Sequence, residues 1–467
     1  MVGTWRAGLT LASVPTPARA MPVPQYQAQL NTICTDVGAE LLLVDDAYTS
    51  LVPPLDVPTI PCRTCMTGSG RGRTDAVGDF VQFTSGSTRS PQGVRLDLVA
   101  VAANVLAILE ALDPVAGDRV CSWLPLSHDM GLIGLCLAPW VGAGPAFAGE
   151  GALCLVRPEA FLRSPSIWLK TCSEVAATIT AAPSFAFGLA AHIITHGGPQ
   201  LDLSSLRVCI TGAEMVRPQA LREFTAAATP LGFNDLSFCP AYGLAEATLA
   251  VTMVRPSTRW SSYAVDAAAL AAGHWVERAS GRELVSTGAP LKDMRVRIGA
   301  TGVGPIEVAG PSLLSGYVGA HSAPPDGAWL ATKDLGFLVD GELVVTGRQD
   351  DLLVVAGRNL YAGDIEDVAN AQRGIRGMNS VALADDDRYV VVAEAFPKAH
   401  LANTAHDVRA ALVQRFGAGP SSITFLAPGT MPKTSSGKIA RARVRQMRSA
   451  GELTTTAHFA FRPNDKP

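Results

Sequence analysis

RVCITGAEMVRPQALREFTAAATPLGFNDLSFCP, residues 207–240, decides the architecture. Residues 207–211 read as a strand, 218–228 as a helix and 236–240 as a second strand. Two strands that run the same way need a crossover, and a helix of this length supplies one. The same rhythm precedes it: 79–84 reads as a strand, 98–111 as a helix and 119–124 as a strand. The pattern predicts an α/β fold with largely parallel sheets. After about residue 260 the texture changes to short strands and Gly/Pro turns, as at 304–317 and 341–345, which predicts a small β-rich subdomain. Arg348-Gln-Asp-Asp351 then punctuates two apolar strands. Beyond it follow a strand at 352–355, a helix at 362–371, strands at 381–383 and 390–394, and a helix at 405–416. We place a domain boundary at Asp350, giving a large domain over 1–349 and a compact α+β domain over 350–467.

The composition fits a globular, multidomain chain. Of 467 residues, 48% are hydrophobic and 17% charged, which excludes disorder as the overall state. Lys+Arg 38 against Asp+Glu 41 leaves −3, so nothing general draws the chain to nucleic acid or to an anionic membrane. Gly 44 and Pro 32 without a G-X-Y period exclude a collagen-like chain. Residues 1–20 mimic a secretory signal, but Pro15 and Pro17 interrupt the apolar run. The uncharged run 130–148 has the length of a membrane span. Its Gly131, Gly134, Pro139, Gly142, Gly144 and Pro145, and the His128-Asp129 before it, predict a buried strand–turn–helix passage instead.

Cys34, Cys121, Cys136, Cys154, Cys172, Cys209 and Cys239 stand singly, several in apolar runs, as buried thiols of a reducing, cytoplasmic compartment do. Cys62 and Cys65 form a CxxC with no second pair for zinc, and the sequence after it does not read as the helix a redox CxxC opens. His192 and His196 are spaced i, i+4 but lack the glutamate of a zinc-protease helix, and Gly197-Gly198 reads as a helix C-cap. No metal site is expected at either pair.

Thr84-Ser-Gly-Ser-Thr88 follows a strand, and such a run of hydroxyls and amides can cradle phosphate oxygens, although alone an ordinary polar turn is the better reading. A Walker A loop is absent; PKTSSGKI at 432–439 lacks its leading glycine and trailing hydroxyl. The pieces become specific in combination. TSGSTRSPQGV (84–94), LPLSHDMGLIG (124–134), ITGAEMV (210–216), AYGLAEATL (241–249), KDLGFL (333–338), GRQDDLLVVAGRNLYAGDIE (347–366) and PKTSSGKI occur in one order. Together they resemble the core motifs of the adenylate-forming superfamily of acyl-CoA synthetases, peptide-synthetase adenylation domains and luciferases. HDMGLIG, FLRSPSIWLK (161–170), LDLSSLRVCITGAE (201–214) and GRNLYAGDIE are phrased as in its fatty acyl-AMP ligase branch. Residues 265–288 resemble the insertion of that branch thought to disfavour transfer to coenzyme A.

The resemblance implies ATP-dependent conversion of a carboxylic acid into an acyl adenylate, with Mg²⁺ as cofactor, followed by transfer to the phosphopantetheine thiol of an acyl carrier protein. It implies that Thr84, Ser85, Gly86, Ser87 and Thr88 hold the β- and γ-phosphates and that Glu246 ligates Mg²⁺. Tyr242 is implied to stack on adenine, with Gly212, Ala213, Glu214, Ala241 and Gly243 lining the same slot. Asp334 is implied to accept the ribose hydroxyls, Arg348 to brace the sugar, and Lys438 to neutralise the carboxylate and the α-phosphate. Thr88 and His128 are counted with Lys438 and Glu246 as catalytic. Asp350 falls at the superfamily's hinge, about which the small domain rotates between half-reactions, carrying Lys438 out of the site.

Departures from the pattern retune these expectations. Arg89 stands where glycine is usual, Gln92 where lysine is usual and Ser127 where tyrosine is common. Relatives carry a further segment before the part matching 5–24, so a short or open acyl pocket, or a misassigned start codon, is expected. Ala182, Pro183, Phe185, Phe187 and Gly188 are taken as pocket-facing. Three other readings stay open on the sequence: an acyl-CoA ligase, an enzyme activating a small anion such as nitrite, and a non-catalytic binding subunit.

Overall fold

The computed structural model describes residues 1–17, 21–66, 78–84, 91–142, 152–319, 327–434 and 437–462. Residues 207–240 form the strand Val208–Thr211, the helix Pro218–Ala228 and the strand Phe238–Gly243, the two strands lying parallel with Cys209 opposite Phe238. Proline stands at the first turn of the helix, where its missing N–H is not needed. The helix buries Ala220, Leu221, Phe224 and Ala228, one stripe at helical spacing.

These strands belong to a seven-stranded sheet. Leu153–Leu155, Val120–Ser122, Ile179–Ala181, Val208–Thr211 and Phe238–Gly243 run parallel, and Ala250–Met253 and Ala289–Pro290 add antiparallel strands at one edge. Val120–Ser122 and Ile179–Ala181 are buried at every position, as parallel strands covered on both faces must be. A second sheet of four strands is ordered Leu11–Ser13, Asp79–Phe83, Gly93–Asp97, Gly316–Tyr317. Arg295–Ile298, Gly304–Ala309, Leu330–Val339 and Glu342–Arg348 form the antiparallel β-rich part. The smaller C-terminal lobe holds the hairpin Leu352–Val355/Arg358–Tyr361 and a mixed sheet of Ile375–Asp385, Arg388–Ala395, Ser422–Leu426 and Thr455–Ala460. Helices Ala362–Asn370, Leu401–Phe416 and Arg441–Ala450 accompany that sheet. The architecture is the expected two-lobed α/β one.

Two local expectations are corrected. The apolar run after Asp129 contains no strand among its described residues: Met130–Leu137 is a widened, π-type helical stretch that continues as the helix Ala138–Val141. Gly131 permits it, because a Cβ there would lie 2.4 Å from the Pro125 carbonyl oxygen. Among the described residues no helix is long and apolar enough to cross a membrane. Cys62–Met66 forms a 3₁₀ turn with both thiols exposed, and residues 67–77 after it lie outside the described residues. Phe187, taken as pocket-facing, is wholly buried among Trp168, Phe224 and Phe238 at ring-centroid distances of 5.2, 5.1 and 5.0 Å. Phe185, two residues away, is only partly buried, whereas Phe187 and Ala190, three apart, share a buried face of Ser184–Thr195. His196 caps that helix as expected, its Nδ1 2.8 Å from the His192 carbonyl oxygen.

Candidate active site

The site is built at the carboxyl ends of the parallel strands, where open α/β sheets present their loops. Gly212 follows the strand Val208–Thr211 directly, and a Cβ there would fall 2.4 Å from the Ala241 carbonyl oxygen, so two strand ends meet where only glycine fits. Ala213 turns the chain in the left-handed region at φ +61°. Glu214 then accepts hydrogen bonds from the Ser184 hydroxyl at 2.8 Å and the Phe185 amide at 3.1 Å, tying the loop to the start of the helix Ser184–Thr195. At Gly243 a Cβ would meet the Leu249 carbonyl oxygen at 1.9 Å. Gly212, Ala213, Glu214, Ala241, Tyr242 and Gly243 are thus brought into one slot.

Asp334 and Arg348 stand directly opposite each other on the antiparallel strands Leu330–Val339 and Glu342–Arg348. Asp334 Oδ1 lies 3.1 Å from Arg348 Nε, and Oδ2 accepts the Tyr242 hydroxyl at 2.8 Å. Burial pushes the Asp334 carboxyl above its ordinary range, while Arg348 and Tyr242 pull it back. Each oxygen keeps a further lone pair for a ligand hydroxyl. Tyr242 was expected to stack on a base; its hydroxyl also holds Asp334, a link the sequence does not show.

Glu246 sits in the 3₁₀ turn Ala245–Ala247, followed by Thr248 at φ +65°. Its carboxylate accepts the Tyr317 hydroxyl at 3.2 Å, and its carbonyl accepts the Leu314 amide at 2.8 Å. Burial raises the Glu246 carboxyl, and the charges of Asp129 and Asp334 add to the rise. A desolvated carboxylate among other carboxylates lacks positive charge, and a hard divalent cation is the group that supplies it. A hard divalent cation such as Mg²⁺ therefore fits beside Glu246.

Lys438 arrives from the C-terminal lobe. Its Nζ donates to the Ala213 carbonyl oxygen, and the Thr434 amide closes the preceding turn on the Lys438 carbonyl at 2.7 Å. Burial lowers the ammonium from its ordinary value, opposed by the charges of Glu214 and Asp129. Thr84 follows the strand Asp79–Phe83, its amide donating to the Gln92 carbonyl at 3.0 Å and its hydroxyl accepting the Gln92 amide at 3.2 Å. Ser85, Gly86, Ser87, Thr88 and Arg89 lie outside the described residues. His128 binds the adjacent Asp129, a residue not singled out in the sequence although the motif contains it. Tyr317 was also missed, since 71 residues separate it from Glu246 and nothing local marks it.

The segment 265–288 forms the strand pair Ser262–Val265/Arg282–Val285 and the short helix Ala267–Ala271. It touches the C-terminal lobe. Arg282, 9% exposed, pairs with Asp364 at 2.7 Å, donates to the Thr346 carbonyl at 2.9 Å and lies 4.4 Å from the Tyr361 ring centroid. Asn359 donates to the Ala271 carbonyl at 3.1 Å, and Arg217 faces Asp367 at 3.4 Å. Burial pushes the Asp364 carboxyl up to about 6, so its pair with Arg282 is ionic at neutral pH and loses its charge below about 6. Tyr361 packs with Val265, Leu270, Leu284, Leu335 and Val344 in one apolar cluster. Its ring fills the space a Gly347 side chain would need, 2.7 Å from that Cβ position.

Comparison with known proteins agrees with this geometry. The family described as AMP-binding enzyme matches residues 1–318. A putative ligase of Mycobacterium tuberculosis, Rv1013, is 33% identical over 468 residues, covering 93% of this chain and 84% of that protein. The long-chain-fatty-acid–AMP ligase FadD32 of Mycolicibacterium smegmatis is 32% identical over 442 residues, covering 80% of this chain and 69% of its own. A solved structure from a study of fatty acyl-adenylate ligases of E. coli and L. pneumophila matches with TM-score 0.83 at 27% identity, covering 96% of this chain and 91% of that one. A cleft at the strand ends, a lysine delivered to it by a second lobe and this run of relatives lead to one assignment: the chain belongs to the AMP-binding enzymes, in the fatty acyl-AMP ligase branch of the adenylate-forming ligases.

Proposed function

We propose that the acyl adenylate this ligase forms from ATP is made from a fatty acid and is consumed by the phosphopantetheine thiol of a carrier protein. The observation that carries the reading is the Lys438 ammonium bonded to the Ala213 carbonyl, which sets a cation against the slot of Gly212–Glu214. The acid's carboxylate oxygen bonds to the α-phosphorus, the bond to the β-phosphate oxygen breaks, and pyrophosphate leaves with the electron pair. No proton moves, so the protein's work is positioning and charge. Lys438 offsets the charge of carboxylate and α-phosphate. Asp334 and Arg348 hold the sugar, Tyr242 and the strand-end loop hold the base, and residues 84–88 hold the outer phosphates. Mg²⁺, held at Glu246, supplies neutralisation on the phosphate oxygens when bound.

Asp350 is the hinge in this reading. It lies in the 3₁₀ turn Gln349–Asp351, between the strands Glu342–Arg348 and Leu352–Val355, and its carboxylate faces Lys333 at 3.4 Å. Rotation there takes Lys438 out and admits the thiol, with residues 350–467 moving against 1–349. The contacts of Arg282 with Asp364 and Tyr361 favour the closed arrangement, and a restrained lobe suits a tethered acceptor better than free coenzyme A. Replacing Arg282 by alanine should relieve that restraint by about 1.5 kcal/mol, or about tenfold in the lobe equilibrium. Acyl-coenzyme A formation should then rise while fatty-acid-dependent pyrophosphate release in a single turnover stays level. A variant that makes no more acyl-coenzyme A than the parent would remove the restraint from the account.

The deciding experiment measures pyrophosphate release with ATP and Mg²⁺ across fatty acids, aryl acids and nitrite, then offers holo carrier protein, apo carrier protein and coenzyme A. Release with fatty acids and a thioester on the holo carrier alone supports the proposal. Equal transfer to coenzyme A makes the protein an acyl-CoA ligase. Release with nitrite alone, or no release and no nucleotide binding, refutes it.

A further inference from the structure

The motif at 124–134 holds a pair that the roles above leave unexplained. His128 Nδ1 lies 2.6 Å from Asp129 Oδ1, and the same oxygen accepts the Met130 amide at 2.7 Å. The two side chains are 15% and 13% exposed. The backbone beneath them is held as well, since the His128 amide donates to Pro125 at 3.0 Å and the His128 carbonyl accepts the Leu132 amide at 2.9 Å. Asp129 lies within electrostatic reach of both Lys438 and Glu246, so the pair borders the space where acid and nucleotide must meet. The ring's partner among the described residues is Asp129, on Nδ1, which puts Nε2 on the opposite edge of the ring.

We propose that Asp129 is a positioning residue for adenylation: it accepts a hydrogen bond from His128 Nδ1–H and so aims Nε2–H of the ring, protonated on both nitrogens in this role, to donate to the carboxylate of the acid, beside Lys438. The inference rests on the reading of the site given above. An unrestrained imidazole rotates about its Cβ–Cγ bond and offers either nitrogen or a C–H edge to the cleft. A carboxylate on Nδ1 fixes the ring plane and stabilises the imidazolium, as in hydrolase triads. An in-line attack needs the attacking oxygen held within a few tenths of an ångström, and a ring fixed on one side does that where a free one does not.

Asp129 also caps the helical stretch Met130–Leu137, so the test must separate the two roles. Asp129→Ser keeps a capping oxygen on a side chain too short to reach the ring. Asp129→Asn keeps an acceptor at the original reach. We expect Asp129→Ser to lower kcat for fatty-acid-dependent pyrophosphate release about 10²-fold with KM for ATP unchanged, and Asp129→Asn to regain most of the loss. In a His128→Ala background Asp129→Ser should cost nothing more, because Asp129 acts through the ring. Nitrogen NMR of ¹⁵N-histidine-labelled protein should show a bonded Nδ1–H at His128 that Asp129→Ser removes. Parental kcat in Asp129→Ser, a loss that asparagine does not regain, or full additivity with His128→Ala each overturns the proposal. If the parent releases no pyrophosphate with any acid, the site reading fails and this role falls with it, a result told apart from the others by the parent alone.

Discussion

Replacing Lys438 by alanine is expected to lower fatty-acid-dependent pyrophosphate release by about 10²–10³-fold, the loss typical when one preorganised charge-stabilising donor is removed from a water-poor site. The size follows from where the ammonium sits. It is carried by a turn closed through Thr434 and Gly437, it reaches across to the Ala213 carbonyl, and burial already lowers its hold on its proton. The energy that keeps it charged there comes from Glu214 and Asp129, so the cation is placed before any substrate binds. The second half-reaction sets the opposite expectation. If Lys438 leaves with its lobe, as proposed, transfer from preformed acyl adenylate to a holo carrier should proceed in Lys438→Ala at nearly the parental rate. Stopped-flow thioester formation from synthetic acyl adenylate separates the two. Equal losses in both steps would mean that Lys438 holds the fold of the site and does not serve one reaction.

Phe187→Ala should destabilise the large lobe by about 3–5 kcal/mol and leave chain-length preference alone. The ring makes edge-to-face contacts with Trp168, Phe224 and Phe238, and it is fully buried. Removing it opens a cavity that three stiff aromatic neighbours fill poorly. A large fall in the urea midpoint with an unchanged fatty-acid profile is the expected pair of results. A pocket-lining residue would do the reverse, keeping the midpoint and admitting longer acids.

Phe187 also shows what the sequence hides. Its neighbours Phe224 and Phe238 come from a helix and a strand tens of residues away, and a single apolar side chain carries no mark of which face of Ser184–Thr195 it occupies. Elements with strong periodicity were legible nearly to the residue: Pro218–Ala228 and Leu352–Val355 stand where the pattern put them. The passage after Asp129 was not, because Gly and Pro in an apolar run usually break a helix, whereas here Gly131 permits the close approach to Pro125 that a widened helix needs. At the site, motif residues such as Gly212, Asp334 and Lys438 announce themselves by residue type and company. Tyr317, Asp129 and Arg282 do not: one hydroxyl, one cap and one arginine take their meaning from partners that only folding supplies.

The apolar cluster around Tyr361 has a thermal consequence. Any rotation about Asp350 must withdraw that ring from Val265, Leu284 and Val344 and wet all of them. Lobe opening therefore carries a positive heat-capacity change, and the part of closure that comes from these side chains fades as water cools. The ion pair of Arg282 with Asp364 does not fade in that way. Chilling should accordingly loosen the hold on Tyr361 before it loosens the hold on Asp364, so that temperature, with no ligand involved, sets how long the two lobes dwell together between one acyl adenylate and the next.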